Sequence, residues 1–104
     1  MRVECLMDVD FDDEDLAEVE RNPAASLGHG EAVDRGFRKV MGAIRAARDE
    51  RDLYALKALR FEKLKGQRDH ERSLRINKQW RLIVELRGEA PGKRIGVLKV
   101  EDYH

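Results

Sequence analysis

The last three residues of the chain, Asp102, Tyr103 and His104, carry side chains that can exchange protons. Histidine titrates near neutral pH, and a tyrosine hydroxyl can donate or accept a proton. A neighbouring aspartate and the terminal carboxylate would favour the imidazolium form of His104, which could act as a general acid toward a leaving oxygen. Composition alone favours the alternative, a frayed C-terminus with no catalytic role.

Two arginines are predicted to face each other across a hairpin. A three-residue turn at 77–79 pairs Ile76 with Trp80 and Arg75 with Arg81. A two-residue turn would instead set the apolar Ile76 opposite Arg81, so the hydrophobic pattern favours three residues. This register predicts that the two arginines lie side by side on the exposed face of the sheet.

Such a pair is expected to bind an anion. Like charges directly opposite each other destabilise a sheet unless something neutralises them, and a guanidinium matches the geometry of phosphate. The alternative is that either arginine tilts away to a neighbouring glutamate, Glu71 or Glu85. Both interpretations remain open at the level of sequence.

A basic turn lies just before this hairpin, where Lys63, Lys65 and Arg68 surround Gly66. Gly66 permits a tight turn, which would bring positive charge beside the arginines. A phosphate-binding P-loop is excluded because the segment has one glycine and no Gly-Lys-Ser/Thr sequence. By itself the turn predicts no activity.

Charge is distributed unevenly over a chain whose formal net charge is zero. Residues 1–34 hold eleven acidic residues against Arg2 and Arg21, a balance of −9, whereas residues 35–104 hold nineteen basic against ten acidic residues, a balance of +9. A basic block of this size attracts polyanions such as nucleic acid. The alternative is that the two halves pair with each other.

The composition fits one folded domain, 1–104, in a reducing compartment. Hydrophobic residues make up 41% of the 104 residues, which argues against disorder despite 40% charged residues. The single cysteine, Cys5, can form no internal disulfide. No apolar stretch approaches the ~20 residues of a membrane span, and the acidic N-terminus is unlike a signal peptide. We therefore expect a cytoplasmic protein that does not enter membranes.

The N-terminal half is predicted to contain a strand and two or three helices. Residues 1–9 begin with the alternation typical of a strand, and the acidic cluster after it predicts a helix start through Leu16 and Val19. A calcium loop is disfavoured because its glycine and final glutamate positions hold Asp13 and Val19. After a loop at 22–30, apolar residues recur at helical spacing from 33 to 47. Residues 49–52 are predicted either to end this helix or to start a short second one. The second helix would carry an apolar stripe that we expect in the core, formed by Leu53, Leu56 and Leu59.

The C-terminal half alternates with a period of two over residues 73–77, 80–87 and 95–100, as strands do. A turn containing Pro91 separates the last two segments. A strand, then a helical layer, then an antiparallel meander predicts the α+β class.

Three blocks of this half, Glu62–Arg68, Ser73–Leu82 and Glu101–His104, occur in an order and at a spacing that resemble the HigB-type killer proteins of the RelE superfamily. The resemblance implies a RelE-like fold, in which helices pack on a twisted antiparallel sheet of about four strands that holds RNA. It also implies a toxin that binds the A site of the ribosome and cleaves mRNA there by 2′-hydroxyl attack, with no metal or other cofactor. The implied partner is a helix-turn-helix antitoxin, which forms a hetero-oligomer with a monomeric toxin.

By the same resemblance, Arg81 and Lys65 would stabilise charge on the phosphate, and Asp102, Tyr103 and His104 would form the catalytic tail. The residues implied to hold RNA are Lys63, Arg68, Arg75 and Lys78. Some relatives have a catalytic histidine where this chain has Glu62, so either Glu62 acts as the base or that role is absent. His29 and His70 match nothing in the pattern and are expected on the surface.

Two other functions remain possible for the same fold. One is that of the ParE toxins, which poison DNA gyrase without nuclease chemistry, and the other is that of an inert antitoxin-binding regulator. The tail and Arg81 favour the nuclease, because ParE-like chains lack that combination.

Overall fold

The structure is a computed structural model that describes residues 7–68, 70–88 and 94–102. Its elements in chain order are β1 (Asp8–Phe11), α1 (Glu14–Arg21), α2 (Glu31–Ala46), α3 (Glu50–Ala55), β2 (Glu62–Lys63), β3 (Glu71–Arg75), β4 (Trp80–Arg87) and β5 (Arg94–Asp102). Short 3-10 turns lie at Lys57–Leu59 and Gly66–Arg68. The predicted α+β class is confirmed.

The sheet has the strand order β1-β5-β4-β3-β2. It contains five described strands rather than about four, and it is mixed, because β1 runs parallel to β5 while the other pairs are antiparallel. A parallel pairing needs a long crossover between its strands, and the helices and the meander supply it. Neither difference was visible in the sequence: β2 is too short to show alternation, and β1 pairs with residues at the far end of the chain.

The strand predicted at residues 1–9 lies largely outside the described part of the chain, which begins at residue 7, and the first described strand, β1, spans Asp8–Phe11. The acidic cluster is therefore partly inside the sheet. Arg87 Nη2 lies 2.9 Å from Asp12 Oδ2, and Nη1 lies 3.5 Å from Asp10 Oδ2. These aspartates pair with arginine, and within the described residues no cluster of acidic, histidine or cysteine side chains could hold a metal ion.

The core lies between the helices and one face of the sheet. Helix α2 contributes Phe37, Met41 and Ile44, all fully buried, which confirms the predicted apolar face. Burying one such side chain stabilises the fold by about 1.5–3 kcal/mol. The strand residues in the same cluster are Leu74, Leu82, Val84, Ile95 and Val97.

Aspartate side chains start two of the helices. Asp13 Oδ1 accepts a hydrogen bond of 2.9 Å from the backbone N–H of Asp15, as the acidic start of α1 predicted. Asp49 caps α3 in the same way by accepting from the N–H of Arg51. The short helix expected after residues 49–52 is confirmed.

Only part of the predicted α3 stripe belongs to the core. Leu53 is fully buried and Leu59 packs against the core, but Leu56 is 46% exposed. The expectation for Leu56 was wrong because α3 ends at Ala55, and Leu56 is the extended residue that caps it. Helical spacing no longer applies beyond the cap.

The loop at 22–30 is held tightly against α2. The Arg38 guanidinium donates to three backbone carbonyls, including those of Val19 and Ala25 at 2.9 Å. Asp34 Oδ1 accepts from the backbone N–H of Leu27 at 2.9 Å. Burial opposes ionisation of Asp34, but this hydrogen bond and others lower its pKa overall. The loop is thus fixed by two charged residues of one helix.

In the described part of the chain, no helix has the length and apolar character that a bilayer span requires.

Candidate active site

The candidate site lies on the face of the sheet that points away from the helices. Because Leu74 and Leu82 point into the core, their strand neighbours Arg75 and Arg81 point to the opposite face. Arg81 is paired in register with Arg75 on one side and with Glu101 on the other. Three charged residues therefore form one row across β3, β4 and β5.

A cleft of about 240 Å³ opens on this face. The segment after β2 forms one wall of it through Leu64 and Arg68, and the backbone N–H of Leu64 donates to the carbonyl of Glu71 at 3.1 Å. The cleft is lined by Leu64, Arg68, Ser73, Arg81, Ile83, Glu101 and Asp102. It joins the basic turn, the centre of the sheet and the end of β5.

Arg81 is the buried cation of the cleft. The predicted pairing of Arg75 with Arg81 is confirmed, as is the three-residue turn, because Ile76 N–H donates to the carbonyl of Trp80. The expectation that both arginines lie exposed was wrong for Arg81, whose side chain is only 10% exposed. Leu64 and Arg68, from the segment after β2, line the same cleft as Arg81.

Glu62 lies at the mouth of the cleft beside Arg81. Its Oε1 is 3.7 Å from Arg81 Nη1, while its side chain remains 63% exposed. Arg81 thus forms an ion pair with Glu62, a partner that the sequence interpretation did not consider when it named Glu71 and Glu85. A carboxylate that is open to solvent beside a buried guanidinium can meet a substrate that the guanidinium binds.

Arg68 has carboxylate partners on two strands. Its Nε lies 3.0 Å from Glu71 Oε1, and its Nη1 and Nη2 lie 3.3 and 3.2 Å from the two oxygens of Glu101. Hydrogen bonds to Glu101 and then to Glu71 raise the pKa of Arg68, and the bond from Arg68 lowers the pKa of Glu101. Arg68 lies in the predicted place, but its positive charge is already neutralised there.

Asp102 ends β5 directly opposite Trp80. Its Oδ2 accepts a hydrogen bond of 3.3 Å from Gln79 Nε2, so the hairpin turn and the end of β5 are linked. Asp102 also lines the cleft with Arg81. Tyr103 and His104 lie outside the described residues.

The remaining predicted residues are dispersed. Lys65 is exposed beside the cleft wall, and Lys78 is exposed in the hairpin turn. Arg75 is half-buried, and its Nε donates to the Asn77 carbonyl at 3.3 Å. Lys63 pairs in register with Arg72, which places it on the face opposite to Glu62 and the cleft.

One feature of this end of the sheet was not predicted. His29 stacks on Trp80, with ring centroids 4.1 Å apart and planes inclined by 24°. His29 is exposed, as expected, but it is also in ring contact with the strand residue opposite Asp102. No local pattern signals this contact, because it depends on how Arg38 and Asp34 hold the loop.

Residues 11–95 match the family model described as a RelE-like toxin of the type II toxin-antitoxin system HigB. The chain belongs to this HigB-like toxin family. The matched range includes Glu62, Arg68 and Arg81 and ends before Asp102. The family match therefore gives no evidence about the role of the terminal residues.

Solved structures show the same fold at low sequence identity. The chain is similar to the YafQ structure from E. coli strain BL21(DE3), with a TM-score of 0.59, 13% identity and 92% of each chain covered. It is also similar to the YoeB/ParE toxin from Agrobacterium tumefaciens, with a TM-score of 0.55, 16% identity, and 94% of this chain and 100% of that chain covered. A third similar structure is the YoeB-YefM complex from Staphylococcus aureus, with a TM-score of 0.56, 16% identity, and 94% and 97% covered. The comparison with curated proteins found no match.

Proposed function

We propose that this HigB-like toxin is a ribosome-dependent endoribonuclease that cuts mRNA in the A site without a metal ion and so stops translation in the cytoplasm. The observation that carries the proposal is the cleft in which a buried Arg81 lies beside a solvent-accessible Glu62, with Asp102 at the same cleft. A guanidinium held out of water stabilises phosphate charge more strongly than an exposed one.

The chemistry is an in-line transfer within one nucleotide. The ribose 2′-oxygen attacks the adjacent phosphorus, the bond from phosphorus to the 5′-oxygen breaks, and a 2′,3′-cyclic phosphate and a 5′-hydroxyl result. A carboxylate can accept the proton of the 2′-hydroxyl, and we assign this role to Glu62. Arg81, together with Lys65 from the basic turn, neutralises the charge that grows on the non-bridging oxygens.

The terminal residues are assigned to the second proton transfer, which protonates the leaving 5′-oxygen. We assign Asp102, Tyr103 and His104 to the leaving side, where His104 or Tyr103 protonates the departing 5′-oxygen. This assignment is supported by the position of Asp102 at the cleft, because Tyr103 and His104 follow it directly in the sequence. Removing His104 should abolish growth arrest while leaving the thermal unfolding of the protein unchanged, and full toxicity without it would refute the role.

We assign RNA contacts to the exposed lysines near the cleft, Lys65 and Lys78, and to Arg75 in the row beside Arg81. Lys63 fits this role less well, because its register position lies on the other face. Each phosphate contact that is lost should reduce the slope of log affinity against log salt by about 0.7 for single-stranded RNA.

We also propose that a helix-turn-helix antitoxin encoded beside this toxin binds it in a hetero-oligomer. Two findings support a protein partner: the matched family is one of toxin-antitoxin systems, and a similar structure is a YoeB-YefM complex. Co-expression of the neighbouring gene should restore growth, and its product should co-purify with the toxin.

The function is tested with purified ribosomes carrying a defined mRNA. The chain is first treated with EDTA and then freed of the chelator, so that the assay buffer keeps the Mg²⁺ that the ribosome needs. Its addition should produce cuts in A-site codons with 5′-hydroxyl ends, and mRNA alone should remain intact. Cleavage that is lost after this treatment and returns only when a transition metal is added would refute the metal-free mechanism. Induced expression that damages DNA while transcripts stay whole would instead indicate gyrase poisoning, and normal growth would indicate an inert regulator.

A further inference from the structure

Glu101 has no role in the proposed chemistry, yet it is central to the contacts at the cleft. It lies directly opposite Arg81 and immediately before Asp102. Its two oxygens bind the Arg68 guanidinium, and Oε2 is also 3.1 Å from Lys99 Nζ. Glu101 adds a third carboxylate, after Glu62 and Asp102, to a cleft that is proposed to bind phosphate. Its negative charge alone would repel the substrate, so its presence there indicates another role.

Arg68 connects the two strands that flank β4. Glu71 belongs to β3 and Glu101 to β5, and both accept hydrogen bonds from the same guanidinium. Arg68 itself ends the 3-10 turn that starts at Gly66, where φ is +72°. The contact therefore joins the basic turn and both flanking strands across the central one.

The end of β5 is held by few backbone hydrogen bonds, so a side-chain contact such as Arg68–Glu101 matters for its position. Strand β1 accompanies β5 only from Arg94 to Val97, so that over residues 98–102 the described neighbouring strand is β4 alone. A register shift between Ile83 and Val84 interrupts the β4–β5 ladder at the start of this segment. Side-chain contacts then contribute more to the position of the strand end, because fewer backbone hydrogen bonds hold it.

We infer that Arg68 and Glu101 form a positioning pair that holds the end of β5, and with it Asp102, against Arg81. Arg68 then serves the reaction by placing Asp102 and does not bind RNA phosphate. This inference rests on the proposed nuclease function.

RNA binding and positioning, the two possible roles of Arg68, predict different kinetic effects for a substitution of its partner Glu101. If Arg68 binds RNA and Glu101 merely competes for it, then Glu101→Gln removes a repulsive charge and should lower KM. If the pair positions Asp102, Glu101→Gln should lower kcat about tenfold and leave KM nearly unchanged. This loss is smaller than the ~100-fold loss that a 1 Å misplacement can cause. A decrease in KM with kcat intact would overturn the inference.

A double-mutant cycle tests whether the two residues act together. Arg68→Gln should reproduce the loss of kcat, keep the salt dependence of ribosome binding, and give a double variant no worse than either single one. Losses that multiply in the double variant, or a smaller salt slope for Arg68→Gln, would overturn the inference. The matched control is the Arg45–Glu20 pair, which has the same bidentate contact, at 2.9 and 2.7 Å, away from the cleft. Arg45→Gln and Glu20→Gln should leave kcat unchanged.

A readout that does not depend on cleavage separates the two proposals. Trp80 is the single tryptophan of the chain and lies opposite Asp102, so its fluorescence reports on the end of β5. Arg68→Gln and Glu101→Gln should change its quenching by iodide in the same way, whereas Arg45→Gln should not. If wild type cuts no ribosome-bound mRNA, the proposed function fails. Unchanged Trp80 quenching in both variants would overturn the positioning pair, whether or not wild type is active.

Discussion

Replacing Arg81 by glutamine tests the candidate site most directly, because the change removes the buried charge and keeps a polar side chain. The loss of one preorganised donor to a developing oxyanion typically lowers kcat by about 10²–10³-fold, or ~2.7–4 kcal/mol. We expect a loss in this range for Arg81→Gln. Arg81→Lys should fall between wild type and Arg81→Gln, since it keeps the charge but loses the bidentate geometry.

The same substitution should change stability little. The partner carboxylate, Glu62, is 63% exposed at 3.7 Å, so solvent screens the pair, and exposed pairs contribute only about 0.2–1 kcal/mol. Relief of the cost of burying the guanidinium offsets part of that loss. A change of 1 kcal/mol would shift Tm by about 4–8 °C in a domain of this size. A protein stable by ~5 kcal/mol would remain almost entirely folded.

The assay is single-turnover cleavage of mRNA on programmed ribosomes, with Tm measured on the same preparations. Arg45→Gln serves as the control, since it removes an arginine from an ion pair elsewhere on the surface. If folded Arg81→Gln cleaves within threefold of wild type, then Arg81 does not stabilise the phosphate, and the assignment of this cleft as the active site is refuted.

Two further predictions concern stability. The pKa of Glu101 is lowered, chiefly by its hydrogen bond from Arg68. The pair therefore stabilises the fold fully at a pH above the ordinary glutamate pKa of about 4.3. This contribution is lost as the pH falls through the lower pKa of the folded state. Denaturant unfolding from pH 6 to 2 should show a shallower decline for Glu101→Gln than for wild type, and parallel curves would contradict this. Gly36→Ala should lower Tm, because its Cβ would lie 2.7 Å from Ile76 Cγ2 and 3.2 Å from the Ile76 carbonyl oxygen, and overpacking costs about 1–3 kcal/mol. Gly42→Ala, in the same helix with nothing within 4 Å, should instead raise stability by about 1 kcal/mol, and equal effects at the two glycines would refute the packing argument.

The hairpin that carries Arg81 could be predicted from sequence because its determinants are local. The apolar residues on either side of the turn set the register, and Asn77 closes the turn by accepting hydrogen bonds from the backbone N–H groups of Gln79 and Trp80. The face of α2 was predictable for the same reason, since helical spacing repeats within one element.

The environment of that arginine could not be predicted, because it depends on contacts between distant parts of the chain. Arg81 lies in a cleft that is also lined by Leu64 and Arg68, and these follow a two-residue strand, β2, that leaves no periodic signal. Arg68 was assigned to RNA by analogy, and only the structure shows the carboxylates of two different strands at its guanidinium. The register of Arg75 and Arg81 was therefore predictable, whereas the side-chain partners of Arg81 and Arg68 were not.

The ion-pair partners behind the charge asymmetry could not be predicted from the sequence either. Much of the acidic N-terminal segment pairs with basic residues of the other half, as Glu20 does with Arg45 and Asp12 with Arg87. These contacts lie at the β1 edge and along α2, so the acidic segment does not cover the cleft. Among the described residues, the exposed Lys65, beside the cleft wall, and the exposed Lys78, in the hairpin turn, make no ion pair and remain available to a polyanion. Folding thus pairs part of the basic block with the acidic N-terminal segment and leaves these two lysines free to attract RNA.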